Sequence, residues 1–358
     1  MFIHNVIVMK INNRNCWLIL ISTCLFISCR NDHSIKKDDV TIISVIQDDI
    51  DSVKVKTLPF YKNTDSRLSP SIGIIAVKKG LIINPFSNQG NKMASFFINH
   101  YESDCCVHLS PLILNGRGPG ELSIVSAAGK SVNSDTVTFY SANDAKFLIF
   151  DEELSLVEEA KMFEPLNIRG DLIFRNYASL VSINPKYNDE NIFRQINHEN
   201  KSSYSFYPAR VPVDYEPQIR NKISSLTPTP DGFAFSFTGD KEVLFLSKDN
   251  NTISRLQFGS NDPIETWKAN STNDGARSMA YIREIEYHND NLFVLYDNEV
   301  IVFSYPKLEP NKRFVFEQAT NPLNRKYVTD FSVVDDMMYI VYNSIEVMQI
   351  KSISELIK

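Results

Sequence analysis

Beyond residue 40, apolar residues occur in short runs that are rich in β-branched and aromatic side chains and that end at Asn, Asp, Gly or Pro. No long stretch of this region has a helical period, so the pattern predicts β-strands. The same pair of runs recurs six times, at residues 80–84 with 94–98, 135–140 with 146–150, 171–174 with 191–196, 231–237 with 243–246, 291–296 with 300–303, and 338–342 with 345–348. A recurring strand pair indicates repeated supersecondary units.

The repeated pairs predict an all-β fold, a six-bladed β-propeller over residues 40–353. A blade has four strands, so other strands must flank each pair. The candidates are residues 71–77, 112–114 and 313–316. The run at residues 41–46 is a candidate to complete the last blade and close the ring. The alternative is a pair of β-sandwich domains that meet near residues 208–217.

The amino terminus has the pattern of a secretory signal. Lys10 and Arg14 are the only Lys or Arg residues before Arg30, and a short apolar run follows them at residues 16–28. This run is too short for a membrane span, which needs roughly 20 residues. It ends at Ser28-Cys29, which resembles the lipobox of bacterial lipoproteins, although Phe26 departs from the usual Leu or Val. The alternative is an ordinary cleaved signal with an incidental Cys.

This pattern predicts a signal peptide at residues 1–28, a lipid on Cys29, a tether at 29–39 and the propeller at 40–353. Cleavage removes two basic and no acidic residues, so the net charge changes from −6 to −8. Such a charge argues against nucleic acid as a partner. The expected location is the cell envelope, where the lipid anchors the protein to a bacterial membrane, most simply the outer membrane. Apart from the lipid-bearing Cys29, the mature chain would contain only two cysteines, Cys105 and Cys106. Two adjacent cysteines predict no disulfide framework.

Residues 115–121 read Asn-Gly-Arg-Gly-Pro-Gly-Glu and follow the first predicted strand pair. This segment resembles the G-x-G-P-G-E signature of the TolB-like six-bladed propeller lipoproteins, and looser matches extend the resemblance over roughly residues 40–350. The resemblance implies a six-bladed propeller on a cell-envelope lipoprotein. It assigns no chemistry to any residue.

The same segment predicts an exposed loop that could bind a ligand, formed by Gly116, Arg117, Gly118, Pro119, Gly120 and Glu121. Arg117 and Glu121 could pair with each other or face the ligand. The alternative is a purely structural loop between blades. If the loop is structural, Gly118→Val and Gly120→Val should each cost about 1 kcal/mol or more. Arg117→Ala should then cost little, because exposed ion pairs contribute less than about 1 kcal/mol.

Five residues with metal-binding chemistry alternate along one stretch: His100, Glu102, Asp104, Cys106 and His108. On an extended strand they would share a face, but positions four apart lie about 13 Å from each other. At most two neighbours could therefore hold one ion, and a solvated outer strand is the preferred interpretation. We predict no metal site and no cofactor. Trp267 and Arg277 lie in a polar stretch that predicts a loop suited to carbohydrate or protein contact, or a Trp that covers a blade edge.

The chain contains no nucleophile motif and no zinc-protease motif. The predicted function is therefore non-catalytic: a binding or scaffold module for a protein, peptide or glycan partner in the envelope. The alternative is a metal-dependent hydrolase or lyase with its site in the central propeller channel. Converging Glu, Asp, Asn or His residues on the innermost strands would favour that alternative.

Overall fold

Antiparallel strands form almost all of the structure. The computed structural model describes residues 40–62, 73–83, 93–99, 110–132, 136–162, 170–176, 179–183, 191–197, 200–208, 223–237, 240–259, 281–316, 327–342 and 346–358. These residues contain 27 strands, one 3₁₀ turn at Gln47–Asp49 and one short carboxy-terminal helix, α1 (Ile353–Ile357). Residues 40–358 form one compact unit. The prediction of an all-β fold is confirmed.

The strands form five sheets. Three strands near the amino terminus join the outer edges of sheets built from later residues: β1 (Thr41–Val45), β2 (Ser52–Val55) and β3 (Leu58–Lys62). The first sheet contains β4 (Ile74–Val77), β5 (Gly80–Ile83), β6 (Met93–Asn99), β7 (Ser110–Asn115) and β8 (Glu121–Leu122).

The second sheet has eight strands, namely β9 (Ala127–Lys130), β10 (Thr136–Ser141), β11 (Lys146–Asp151), β12 (Leu156–Lys161), β13 (Gly170–Asn176), β14 (Ser179–Ile183), β15 (Asn191–Asn197) and β16 (Ser202–Pro208). It consists of two antiparallel meanders. A short parallel pairing between β9 and β13 joins them, with Gly170 opposite Ala127.

The third sheet contains β17 (Ile223–Thr229), β18 (Gly232–Phe237), β19 (Glu242–Ser247) and β20 (Thr252–Phe258), with β1 parallel to β20. The fourth contains β21 (Ile282–His288), β22 (Asn291–Tyr296), β23 (Glu299–Ser304) and β24 (Glu309–Phe316), with β2 parallel to β24. The fifth contains β25 (Val328–Val334), β26 (Met337–Tyr342) and β27 (Glu346–Lys351), with β3 antiparallel to β27.

Successive meanders pack face to face through separate apolar clusters. One cluster joins Phe245 and Leu256 of the third sheet to Ile301 of the fourth. Others join the fourth sheet to the fifth, the fifth to the first, the first to the β9–β12 meander, that meander to Ile196 of β15, and the β13–β16 meander to the third sheet. Middle strands such as β18 are therefore buried on both faces, which explains their continuous apolar sequences.

The first strands of the meanders also contact one another, in the order β9, β13, β17, β21, β25 and β4. The cluster that contains Val77 and Ala128 joins the two ends of this series. The meanders therefore follow one another around a common centre, which is the arrangement of a β-propeller.

The structure confirms five of the six predicted strand pairs and corrects the third. Residues 171–174 and 191–196 do not pair, because β14 lies between β13 and β15 and pairs with both. β14 has the sequence Ser-Leu-Val-Ser-Ile, which is too short and polar to stand out as a strand.

The run at residues 41–46 does not close the ring. It forms β1 on the outer edge of the third sheet, while β3 completes the last meander. Any free strand edge can accept this apolar run, so the path of the chain decides where it pairs. The described strands also form five hydrogen-bonded sheets rather than six.

Candidate functional site

The first strands of five meanders surround a central cavity of about 140 Å³. Its polar lining comes from side chains that alternate with buried apolar residues along these strands. The charged members are Lys130 on β9, Glu284 and Glu286 on β21, and Asp330 on β25. Acidic residues thus do converge at the centre, so the bonds that hold each of them decide what the cavity can do.

Asp330 and Ser332 hold β25 against β4. The backbone N–H of Ile74 donates to Asp330 Oδ2 at 2.9 Å, and the N–H of Ala76 donates to Ser332 Oγ at 2.9 Å. These amides lie on the central edge of β4, where no strand of the described ranges pairs with them. The two side chains therefore replace the missing strand partner.

The same arrangement joins β17 to β21. The N–H of Ile285 donates to Ser225 Oγ at 2.9 Å, and the N–H of Tyr287 donates to Thr227 Oγ1 at 3.3 Å. Ser225 Oγ in turn donates to Glu284 Oε1 at 2.9 Å. Glu284 is therefore part of a bond network between meanders rather than an isolated carboxylate.

Lys130, Glu286 and Val333 form what we call the central clasp. The Lys130 ammonium pairs with Glu286 Oε1 and also donates to the Val333 carbonyl oxygen at 2.9 Å. The N–H of Val333 donates to Glu286 Oε2 at 3.1 Å. Both charged side chains are 11% exposed. Around the cavity, β13 and β17 lie between β9 and β21 on one side, and β25 and β4 lie between them on the other. The clasp therefore crosses the cavity.

His288 follows Glu286 on the same face of β21 and is buried. Its Nε2 lies 3.0 Å from the Asp335 carbonyl oxygen and 2.9 Å from Asn289 Nδ2. Burial and the Lys130 ammonium lower the pKa of His288 below the ordinary 6.5, although Glu286 and Asp335 oppose the shift. The folded protein therefore holds this imidazole neutral near pH 7.

Acidification should destabilise the fold through His288. The unfolded chain protonates this residue below its ordinary pKa of 6.5, while the folded state resists protonation until a lower pH. The contribution to stability is therefore complete above pH 6.5. It falls as the pH decreases from there toward the pKa of the folded state, by at most about 1.4 kcal/mol per pH unit. Urea unfolding at about pH 7 and about pH 5.5 should show a smaller loss for His288→Gln than for the wild type. Equal losses would contradict this assignment.

The 116–121 loop is organised around the Glu121 carboxylate. Oε2 of Glu121 accepts the backbone N–H of Gly118 at 2.8 Å, so Glu121 does not pair with Arg117. A Cβ atom on Gly116 would lie 1.9 Å from the same oxygen, and a Cβ on Gly118 would lie 2.9 Å from it. Gly120 has a φ of +69°, which favours glycine. The spacing of the three glycines thus leaves room for the carboxylate and permits the turn.

A second carboxylate fixes the other side of this loop. The N–H of Gly120 donates to Glu159 Oε2 at 2.6 Å, and this hydrogen bond is the main cause of a lowered pKa for Glu159. Lys146 donates to the Gly118 carbonyl oxygen at 2.9 Å and to Glu159 Oε1 at 3.2 Å. The loop from the first sheet is therefore attached to β11 and β12 of the next meander.

Replacing Gly116 by Ala should destabilise the protein by about 1 to 2 kcal/mol, because the new methyl group displaces the Glu121 carboxylate and leaves the Gly118 N–H without its acceptor. Thermal and urea unfolding measure this loss. In a Glu121→Ala background the methyl group has space, so Gly116→Ala should then cost much less. Equal costs in both backgrounds would show that the carboxylate is not the cause.

Arg117 lies beside Asp144 on the turn between β10 and β11. Its Nε is 3.6 Å from Asp144 Oδ1, and the two side chains are 83% and 7% exposed, respectively. Asp144 Oδ2 accepts the N–H and the hydroxyl of Ser123, each at 2.7 Å, and the Ser141 hydroxyl at 2.6 Å. Burial alone would raise the pKa of Asp144, but these bonds and Arg117 lower it overall. Asp144 is therefore an anchored anion beneath an exposed guanidinium.

Several predicted positions lie outside the described residues: Cys29, the alternating set from His100 to His108, Trp267 and Arg277. Across the described ranges, no three His, Cys, Asp or Glu side chains are grouped so that they could hold a metal ion. None of the helices described is long and apolar enough to cross a membrane.

The residues of the central clasp were not predicted from the sequence. One signal was present: Glu284, Glu286 and His288 alternate before the Asn-Asp turn at 289–290 and must share one face of a strand. Lys130 has no such signal, because it meets Glu286 only through tertiary contact over 156 positions.

Comparison with known proteins supports the fold. No protein-family model and no curated protein sequence matches the chain. A solved structure from Bacteroides fragilis, described as an exported protein, aligns with 87% of this chain and 98% of its own, at 10% identity and a TM-score of 0.52. At this identity the match shows a shared fold alone.

Two further solved structures align less closely. A member of the DUF4221 family from Bacteroides vulgatus covers 85% of this chain and 98% of its own, at 12% identity and a TM-score of 0.49. A streptogramin B lyase covers 83% and 96%, at 8% identity and a TM-score of 0.46. Both scores are below 0.5, so the shared fold rests on the first match and on the arrangement of the sheets. Together these define an all-β protein of the propeller class.

Proposed function

We propose that the chain is a cell-envelope lipoprotein whose propeller is a non-catalytic binding module for a protein, peptide or glycan partner. The observation that carries this proposal is the state of the acidic residues in the central cavity. Glu284, Glu286 and Asp330 accept hydrogen bonds that hold neighbouring meanders together, and Glu286 is neutralised by Lys130. Carboxylates used in this way are not available as the acids, bases or ligands that hydrolysis or elimination needs.

The proposal includes six blades and membership of the TolB-like propeller lipoproteins. The eight-stranded sheet then represents two blades, β9–β12 and β13–β16, which share only the short pairing between β9 and β13. An apolar cluster at each of six junctions between meanders supports this count. The Gly116–Glu121 sequence supports the family.

The proposed anchor is a lipid on Cys29 that holds the protein at the outer membrane. We expect the wild-type protein to partition into the detergent phase and to sediment with outer membranes when it is expressed in a bacterium that processes lipoproteins. Cys29→Ala should instead stay in the aqueous phase. A wild-type protein that remains aqueous would contradict the anchor.

The binding function is tested on the same membranes by cross-linking of the tagged wild-type protein. A discrete adduct that is absent in Cys29→Ala cells is expected, because the anchor places the propeller beside its partner. Glu286→Gln keeps the Val333 bond but would abolish acid or base catalysis by this carboxylate. An enzymatic turnover that the purified protein performs and that this variant loses would contradict the non-catalytic assignment.

A further inference from the structure

The 116–121 loop and strand β12 together form an exposed surface. Arg117 exposes 83% of its side chain, and its ion pair with Asp144 involves Nε. Within the described part of the chain, its two Nη groups have no acceptor. Because Asp144 is buried and held by Ser123 and Ser141, it orients a guanidinium that still has a free bidentate side.

Exposed apolar side chains lie further along β12, toward the end opposite the turn that carries Asp144. Leu156 and Val157 at the start of β12 are 44% and 54% exposed. A Cβ atom on Gly120 would lie 3.6 Å from Leu156 Cδ2, so the loop and the strand touch. Leu114 on β7, opposite Glu121 of the loop, is 49% exposed. An arginine and a small apolar patch at the two ends of one strand have the composition of a protein-binding surface, and an extended peptide along β12 can reach both.

Strand β12 also has a free edge. It pairs with β11 on one side, and no other described strand pairs with it. The last strands of two other meanders, β20 and β24, each carry an added parallel strand in the same position, namely β1 and β2. Outer edges in this molecule therefore do accept an extended segment, and backbone hydrogen bonds supply the attachment.

We propose that the edge of β12 binds an extended peptide segment of a partner protein, with an apolar residue against Leu156 and Val157 and a carboxylate on Arg117. The inference rests on the proposed binding function and specifies its partner. A carboxylate matches the planar, two-pronged donor geometry of the arginine. Two neighbouring acids do not compete for Arg117, because Glu121 of the loop binds Gly118 and Glu159 of β12 binds Gly120 and Lys146.

The test is selection of random heptapeptides displayed on phage against the full chain in detergent, followed by affinity measurement with the enriched peptides. We expect peptides that combine β-branched or apolar residues with Asp or Glu. Arg117→Ala should weaken their binding by about tenfold or more, and so should replacing the peptide acid by its amide. Arg117→Lys should restore only part of the loss, because it lacks the bidentate geometry.

Two matched variants complete the design. Lys201→Ala also removes an exposed positive charge, on the turn before β16, and should leave binding unchanged. Val157→Lys keeps Arg117 but should weaken binding through the apolar contact. The inference is overturned if no peptide is enriched or if enriched peptides bind Arg117→Ala as well as wild type. A partner cross-linked elsewhere on the propeller would preserve the proposed function and remove this inference.

Discussion

Replacing Lys130 by Met should destabilise the fold by about 3 to 5 kcal/mol, the largest effect that we expect for a single charged residue. The substitution leaves the Glu286 carboxylate buried without its counter-ion and the Val333 carbonyl without its donor. Both partners are 11% exposed, so little water can replace the ammonium. The measurement is the free energy of unfolding in urea.

The matched control is the exposed ion pair between Lys78 and Glu152, which has a comparable contact of 2.8 Å with 51% and 42% exposure. Lys78→Met should leave stability nearly unchanged. The double variant Lys130→Met/Glu286→Gln should recover much of the loss, because the amide keeps the Val333 bond without a buried charge. If Lys130→Met costs no more than Lys78→Met, the central clasp does not stabilise the fold.

Replacing Gly232 by Ala should cost about 3 kcal/mol or more, because the added methyl group has no space. Gly232 begins β18 and pairs with Ser247 of β19. A Cβ atom there would lie 1.9 Å from the Leu246 carbonyl oxygen and 2.7 Å from the Ser247 carbonyl carbon. These are backbone atoms in a paired strand, so relief requires the two strands to separate.

Gly259 is the matched control for this substitution. It has a φ of +78°, and among the described residues no atom beyond its chain neighbours lies within 4 Å of the position that a Cβ would occupy. Gly259→Ala should therefore cost only the backbone strain, about 1 to 2 kcal/mol. Melting temperatures and urea unfolding of the two variants give the comparison. Equal losses would show that steric contact at Gly232 is not decisive.

The central clasp also bears on function. Its ammonium occupies the acidic part of the cavity, and the serine, threonine and aspartate bonds on either side hold neighbouring first strands together. The centre of the molecule therefore serves cohesion between meanders. This shifts the expected binding surface to the outside of the propeller, where Arg117 and the edge of β12 are exposed.

Local pattern determined the strands. Short β-branched and aromatic runs between Asn, Asp and Gly turns specify hairpins, because the side-chain period and the turn geometry act over neighbouring residues. Five predicted pairs are confirmed on these grounds, and β14 was not predicted because its two serines weaken the pattern. The 116–121 loop was recognisable for the same reason, since the residues that shape its path lie close together in sequence.

Tertiary structure alone decided which distant residues meet. Nothing in the sequence near residue 41 indicates that β1 joins the edge of β20, or that β3 rather than β1 completes the last meander. Lys130 and Glu286 are separated by 156 positions, and Asp330 reaches Ile74 over 256. Such contacts depend on how whole sheets stack around the centre, and every free edge or buried polar group has many acceptable partners until that stacking is set. The sequence by itself therefore determined most of the strands and the loop. The packing of the sheets determined which strand edges pair and which distant side chains bond to each other.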